Sequence, residues 1–255
     1  MSPKTPRRPS RILVLDVGGT HVKVAFSDLS TEWEIPSGPK FTPRQMVRAL
    51  ARVIRGEKYD AVAIGYPGPV KRGEIARDPA HLGPGWVGFD FREAFGHPVR
   101  IVNDAAMQAL GDYRRGNLLF LGLGTGLGSA MVVNGTLQPM ELAHLPYKKG
   151  RTFEEYVGRD ALERFGKKKW EKEVRKVVEM LVAALEPDEV VLGGGNAVKI
   201  GKLLPGVRRG DNRAAIVGGV RLWGGTGWAG LPSRAHKAGS PASRGRAPRT
   251  APSKP

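Results

Sequence analysis

The sequence contains no cysteine, which excludes disulfides and any thiolate metal site and leaves oxygen ligands and five histidines for an ion. No apolar run approaches the roughly 20 residues of a membrane span. The opening segment, Met1 to Ser10, also lacks the apolar stretch of a secretory signal. A cytoplasmic protein without a membrane partner is the expectation. Two familiar nucleotide loops are missing as well. No glycine loop ends in lysine and a hydroxyl at the start of a helix, and no Gly-x-Gly-x-x-Gly opens a helix with an acid about 20 residues on.

Acidic residues are few: 24 against 41 lysines and arginines, for a formal charge of +17. The excess gathers at the ends. Residues 231–255 hold Arg234, Lys237, Arg244, Arg246, Arg249 and Lys254 without an acid, and Lys4, Arg7 and Arg8 lie in the first ten, so residues 11–230 keep only +8. A basic segment rich in Pro, Ser, Ala and Gly cannot bury a core, so 231–255 is expected to be a disordered tail and 1–10 a disordered lead-in. Weak salt-sensitive contact with nucleic acid fits such a tail, but a specific nucleic-acid partner is not expected.

What is abundant is glycine, 35 residues, and its placement is informative. Asp16-Val17-Gly18-Gly19-Thr20-His21-Val22-Lys23 and Gly122-Leu123-Gly124-Thr125-Gly126-Leu127-Gly128-Ser129 both read as phosphate cradles. Beyond each turn the chain continues as a strand: His21 to Phe26 alternates polar and apolar, and Ser129 to Val133 leads into Asn134-Gly135. Each is therefore expected to be a β-hairpin, with glycines that allow positive φ and let backbone N–H groups approach an anion.

Apolar runs at Ile12–Leu15, Ala61–Ile64, Val99–Val102, Leu118–Leu121, Ala130–Val133 and Val190–Leu192 read as strands. Helical spacing marks Pro43–Ile54, Ala105–Tyr113 and much of 152–185. Strand, glycine loop and helix recur in both halves, which predicts a duplicated α/β architecture with a cleft between the halves. Asp16 ends the first strand. It either caps a turn or holds magnesium and phosphate, since magnesium favours one or two carboxylates plus phosphate oxygens. Thr20 could donate its hydroxyl to phosphate, and Lys23 offers charge or only snorkels. Asp104 follows an apolar strand with Asn103. It is either a helix N-cap or the base that accepts a hydroxyl proton in phosphoryl transfer. Glu141 and His144 form Glu-Leu-Ala-His in a polar loop, suited to sugar hydroxyls, and Glu154 is either a further such ligand or a first-turn helix acid. Lys148, Lys149 and Arg151 line a basic loop that either tracks a polyanion or is solvated.

These segments, with Gly65-Tyr66-Pro67-Gly68-Pro69-Val70 and Val190-Val191-Leu192-Gly193-Gly194-Gly195, resemble in their order the ROK family of sugar kinases, within the actin/hexokinase-like superfamily. The short form resembles the polyphosphate glucokinases. The resemblance spans about residues 11–224 and implies two actin-like (ribonuclease H-like) domains, 11–103 and 104–230, closing over a sugar and a phosphoryl donor. By it, Asp16 holds Mg²⁺ and Gly18, Gly19, Thr20 and Lys23 hold phosphate. Gly124, Thr125, Gly126 and Gly128 hold the donor's other phosphates, and Gly193, Gly194 and Gly195 flank an adenosine. Asn103, Glu141, His144 and Glu154 bind the sugar, with Asp104 as base for its 6-hydroxyl. The implied enzyme is a hexose kinase, a glucokinase above all, using ATP or polyphosphate; a kinase for mannose, fructose, allose or an N-acyl amino sugar, and a non-catalytic sugar sensor, are the alternatives. A homodimer is expected. The chain departs from the family at three places: it lacks the cysteines of the family's structural zinc site, so zinc is not expected; Ala143 replaces the glycine before the histidine; and His81-Leu82 stands in place of Asn-Leu. Only ten residues precede the first strand, so the DNA-binding domain of family repressors is not expected.

Overall fold

The computed structural model describes residues 9–211 and 213–224. The expectations for the tail 231–255, and for most of the first ten residues, therefore lie outside the described residues. In chain order the first half comprises β1 (Ile12–Val17), β2 (His21–Phe26), β3 (Glu32–Pro36), α1 (Pro43–Val53), β4 (Ala61–Tyr66), the short pair β5 (Val70–Lys71) and β6 (Glu74–Ile75), α2 (Phe91–Phe95) and β7 (Val99–Asn103). The second half comprises α3 (Asp104–Asp112), β8 (Asn117–Leu123), β9 (Leu127–Val133), β10 (Thr136–Met140), α4 (Glu154–Val157), α5 (Arg159–Phe165), α6 (Lys167–Leu185), β11 (Glu189–Gly193), β12 (Val207–Arg209) and α7 (Ala214–Arg221).

The two halves repeat one design. The first five-stranded sheet runs β3-β2-β1-β4-β7 and the second β10-β9-β8-β11-β12, each an antiparallel meander extended by parallel strands. Ile12 to Leu15 and all of β4 are buried, as parallel strands covered on both faces must be. Local signals act where the sequence places them. Thr42 and Gln45 form a capping box ahead of Pro43, and Asn134 and Gly135 take positive φ in the tight turn from β9 to β10. The stretch 152–185, read as largely helical, is three helices, α4 to α6, separated at Gly158 and Gly166.

Helices α3 and α7 lie between the sheets. One continuous core joins Val14, Ala63 and Val102 of the first sheet, Met107 and Leu110 of α3, Ile216 of α7, and Phe120, Val132 and Val191 of the second sheet. The outer face of the first sheet packs on α1 and α2, burying Met46, Leu50 and Phe91, and that of the second packs on α4 to α6, burying Trp170 and Val174. Among the described residues no helix is long and apolar enough to cross a membrane.

Candidate active site

Strands β1, β4 and β7 are parallel and in step: Asp16 pairs with Gly65, Gly65 with Val102, and Tyr66 with Asn103. Their carboxyl ends therefore share one edge, where ligands gather in open α/β sheets. Asp16 lies one residue from the end of β1 and Asp104 is the first residue of α3. Asn103, not Asp104, is the N-cap: its Oδ1 accepts from the Ala106 N–H at 3.2 Å while its Nδ2 donates to the Gly68 carbonyl at 3.2 Å. That leaves the Asp104 carboxylate free of the capping duty, with one oxygen accepting from the Ala105 N–H at 2.8 Å.

Electrostatics mark the pair out. Burial pushes the Asp104 carboxyl up to about 7, the Asp16 charge adds to this, the Ala105 N–H opposes it and Glu141 adds further. Burial likewise raises Asp16 to about 6, moderated by Lys23, its cross-strand partner. A carboxylate near neutrality in a half-buried edge is the profile of a general base. The spacer between the two acids is Gly65. A Cβ there would lie 2.4 Å from Met107 Cε and 3.5 Å from the Asp104 Cα, so a side chain would displace the Met107 thioether packed beside the start of α3.

The first glycine turn is tight and braced. The Gly18 N–H donates to the His21 carbonyl at 2.9 Å, Ser37 Oγ donates to the Gly18 carbonyl at 2.7 Å, and the Ser37 N–H donates to the Thr20 carbonyl at 2.8 Å. Thr20 and Lys23 are exposed beside it. His81 packs on the turn, its Cβ 3.2 Å from where a Gly19 side chain would start. Its loop is tied to Asp78, which accepts the N–H groups of Gly85, Trp86 and Val87 at 3.2, 2.8 and 3.2 Å.

The second turn is clasped from two sides. Glu154 Oε2 accepts from the Leu127 N–H at 3.3 Å and would stand 2.0 Å from a Cβ on Gly126; the Arg159 N–H donates to the Thr125 carbonyl at 3.0 Å. Beyond the end of β11, Asn196 donates its N–H to the Leu123 carbonyl at 2.9 Å and its Nδ2 to the Gly124 carbonyl at 3.0 Å. Gly193 pairs with Gly122 across β11 and β8, so the Gly193–Gly195 turn and the hairpin tip are neighbours. Gly128 lies against Ala105, where a Cβ would be 2.8 Å from the alanine methyl, which sets the hairpin beside the residue following Asp104. Ser129 Oγ donates to the Met140 carbonyl and accepts from the Leu142 N–H, both at 3.0 Å, and so fixes the turn carrying exposed Glu141 and His144.

One expectation is corrected here and one open reading is narrowed. The assigned glycines were expected to supply positive φ, yet of them only Gly194 has it, at 78°. Gly18, Gly19, Gly126, Gly128 and Gly193 instead serve close approach, while around Gly124 and Gly195 the space is open. The basic loop was open between polyanion track and solvated surface, and Lys148 proves committed elsewhere, its Nζ 2.5 Å from Glu173 Oε2. Gly65, His81, Asp78 and Asn196 were not singled out for the site by sequence reading. Gly65 stood inside a quoted motif and His81 at a noted departure, but the contacts that give them roles are long-range.

For magnesium, the donor set fits. Among the described residues no group of three or more His, Cys, Asp and Glu is placed to hold a metal. Two carboxylates at one edge instead match an ion that takes one or two protein ligands and completes its shell with phosphate and water. The mutual repulsion of Asp16 and Asp104 is what such a cation relieves.

The ROK family profile matches residues 12–139. The sequence is 31% identical over 225 residues to the polyphosphate glucokinase of Mycobacterium tuberculosis, covering 80% of this chain and 83% of that one. Among solved structures, the inorganic polyphosphate/ATP-glucomannokinase of Arthrobacter sp. strain KM aligns with a TM-score of 0.72 at 25% identity, over 85% of this chain and 98% of that one. A ROK family transcriptional regulator, a homologue of the E. coli MLC protein, aligns with a TM-score of 0.67 at 14% identity, over 84% of this chain and 77% of that one, which is a likeness of fold alone.

Proposed function

The chain belongs to the ROK family, as a hexose kinase, and on that premise we propose that it transfers a phosphoryl group from ATP or polyphosphate to the 6-hydroxyl of glucose. The observation that carries this reading is the pairing of Asp104, poised at about 7, with Asp16 on one sheet edge between two backbone-lined turns. Asp104 accepts the hydroxyl proton as the new P–O bond forms. Thr20, Lys23 and the N–H group of Gly19 face the transferred phosphoryl group, while Gly18 shapes the turn through its own N–H bond to the His21 carbonyl, and the tip Gly124–Gly128 holds the rest of the donor. Gly193 to Gly195 flank the adenosine when ATP is the donor. Asp16 would hold Mg²⁺, which supplies charge neutralisation at the phosphates when bound. Glu141, His144 and Glu154 take the sugar hydroxyls, and Asn103 supports them from its cap.

We assign 11–103 and 104–230 as the two lobes that close over the substrates and exclude water. The family's fold is shared with regulators, so the fold alone does not make the chain a catalyst. The base does, since a sensor has no use for a carboxyl held near neutrality. A second sugar is favoured by three observations: His81 rests on Gly19, buried Ala143 precedes His144, and the glucomannokinase relative bears a name for two hexoses. Mannose is accordingly a second acceptor. The test is a panel measuring sugar phosphate formed from glucose, mannose, fructose, allose and N-acetylmannosamine with each donor. Turnover of glucose with at least one donor is expected, and none with any pair rejects the kinase reading.

A further inference from the structure

Buried charge away from the reacting edge is rare in this molecule. Among the described residues the buried polar side chains are Asp112, Ser129, Glu173 and Asn196. Ser129 and Asn196 brace the site, and Asp112 is held by Arg208 at 2.9 Å. Glu173 lies in the middle of α6 and is 8% exposed. A carboxylate so placed costs free energy unless it is paired, and its partners both come from the loop between the sugar-facing turns. Tyr147 Oη donates to it at 2.8 Å and Lys148 Nζ at 2.5 Å. Burial works against the Glu173 carboxylate, but these two bonds outweigh it and hold its pKa below the usual value.

The loop they hold is a closed unit. The Phe153 N–H donates to the Leu145 carbonyl at 3.0 Å, the Tyr147 N–H donates to the Arg151 carbonyl at 2.7 Å, and Pro146 bridges Thr152. The Tyr147 ring meets Phe153 and Tyr156 edge-on at 5.3 and 5.1 Å, and Lys148 Nζ lies 4.4 Å from its centroid. Immediately before this unit comes His144, and immediately after it comes Glu154, whose carboxylate reaches the Leu127 N–H. Among the described residues, the charged side chain of α6 that anchors the unit is Glu173.

We propose that Glu173, through Tyr147 and Lys148, is a positioning residue that sets Glu154 and His144 for the sugar, an assignment that rests on the reading of those two side chains as sugar ligands. A purely structural role would lower stability without singling out one substrate. Positioning instead raises the sugar KM and leaves the donor KM alone. Glucose binding, kinetics and thermal melts of the full chain are measured for Glu173→Gln, Tyr147→Phe, Glu154→Gln and the double variant Glu173→Gln/Glu154→Gln. Glu173→Gln raises the glucose KM roughly tenfold and Tyr147→Phe about threefold, and the double variant loses clearly less than the sum of the Glu173→Gln and Glu154→Gln losses, because both changes act in part through Glu154. Additive losses, or an unchanged glucose KM in folded Tyr147→Phe, overturn the proposal. Should Glu173→Gln fail to fold, Tyr147→Phe, which removes one hydroxyl, carries the test. If Glu154→Gln leaves glucose binding intact, the sugar-ligand reading falls and this proposal falls with it.

Discussion

Two carboxylates decide the residue scale. Asp104→Asn removes the proposed base with little change of shape, so kcat drops at least ~10²-fold while glucose binding persists; near-normal turnover in a folded variant rejects the role. Because the base works ionised, kcat/KM of the parent protein falls as pH drops through about 7. The same shift has a consequence for stability. Asp16 and Asp104 both titrate above the ordinary value of 3.8 in the folded state, at about 6 and about 7. The native state therefore binds more protons than the unfolded chain between those limits. The favourable contribution is complete below about pH 4 and is lost as pH rises through the folded values. Asp104→Asn consequently raises Tm by a few degrees at pH 8 and by much less at pH 5, where the parent carboxyl is already protonated; equal Tm changes at the two pH values would show that the pair is not strained. Asp16→Asn weakens Mg²⁺ dependence and donor use more than sugar affinity, and it also shifts the acid limb of residual activity below about 7, since the Asp16 charge helps to raise Asp104. A limb that stays in place means the two acids do not interact.

At the scale of elements, the three glycine segments differ in what their glycines do, and substitution separates the roles. Gly194 has φ of 78° and a Cβ there would lie 2.6 Å from the Leu123 carbonyl oxygen, so Gly194→Val breaks the turn and lowers stability and turnover with either donor. Around Gly195 nothing lies within 4 Å of an added Cβ. Gly195→Val therefore leaves the fold intact and raises the KM for ATP about tenfold or more, with polyphosphate unaffected, if an adenosine passes there. Parallel effects on both donors would remove the adenosine from this turn. The elements themselves were legible in the sequence because their signals are local: the alternation after His21 marks a hairpin, Pro43 at the first turn of a helical spacing marks a helix start, and Asn134-Gly135 marks a tight turn. Asn103 and Asp104 were legible as a pair but not in their division of labour, which depends on the Ala106 N–H choosing Asn103. The Glu173 clamp was not legible at all. Its partners lie 25 and 26 residues away, and helical spacing over 152–185 gave no sign of them.

At the scale of the whole molecule, the two helices between the sheets, α3 and α7, meet backbone to backbone. A Cβ on Gly111 of α3 would fall 1.8 Å from the Ala214 carbonyl oxygen, and one on Gly218 of α7 would fall 1.8 Å from the Met107 carbonyl oxygen. Two helices in such contact leave no room for a methyl group. Arg221 fastens the crossing by donating to the carbonyls of Leu110, Gly111 and Tyr113 at 2.7, 2.9 and 2.8 Å, which satisfies the end of α3. Arg100 of β7 donates to the Leu222 carbonyl and stacks 4.3 Å from the Trp223 ring, tying the end of α7 back to the first sheet. Met107 links this crossing to the chemistry, because its Cε fills the space over Gly65 between Asp16 and Asp104. Gly218→Ala must push α7 away from α3, an overpacking that costs about 1–3 kcal/mol in a well-filled interior. Displacement of Met107 then moves the start of α3, so kcat falls although no substrate ligand has changed. Gly201→Ala, whose added Cβ would meet only Glu171 at 3.4 Å, is the control and leaves both quantities unchanged. Urea unfolding with steady-state kinetics reads the two together. A Gly218→Ala protein that loses stability but keeps its kcat would show that the crossing holds the sheets together without setting the geometry of the base.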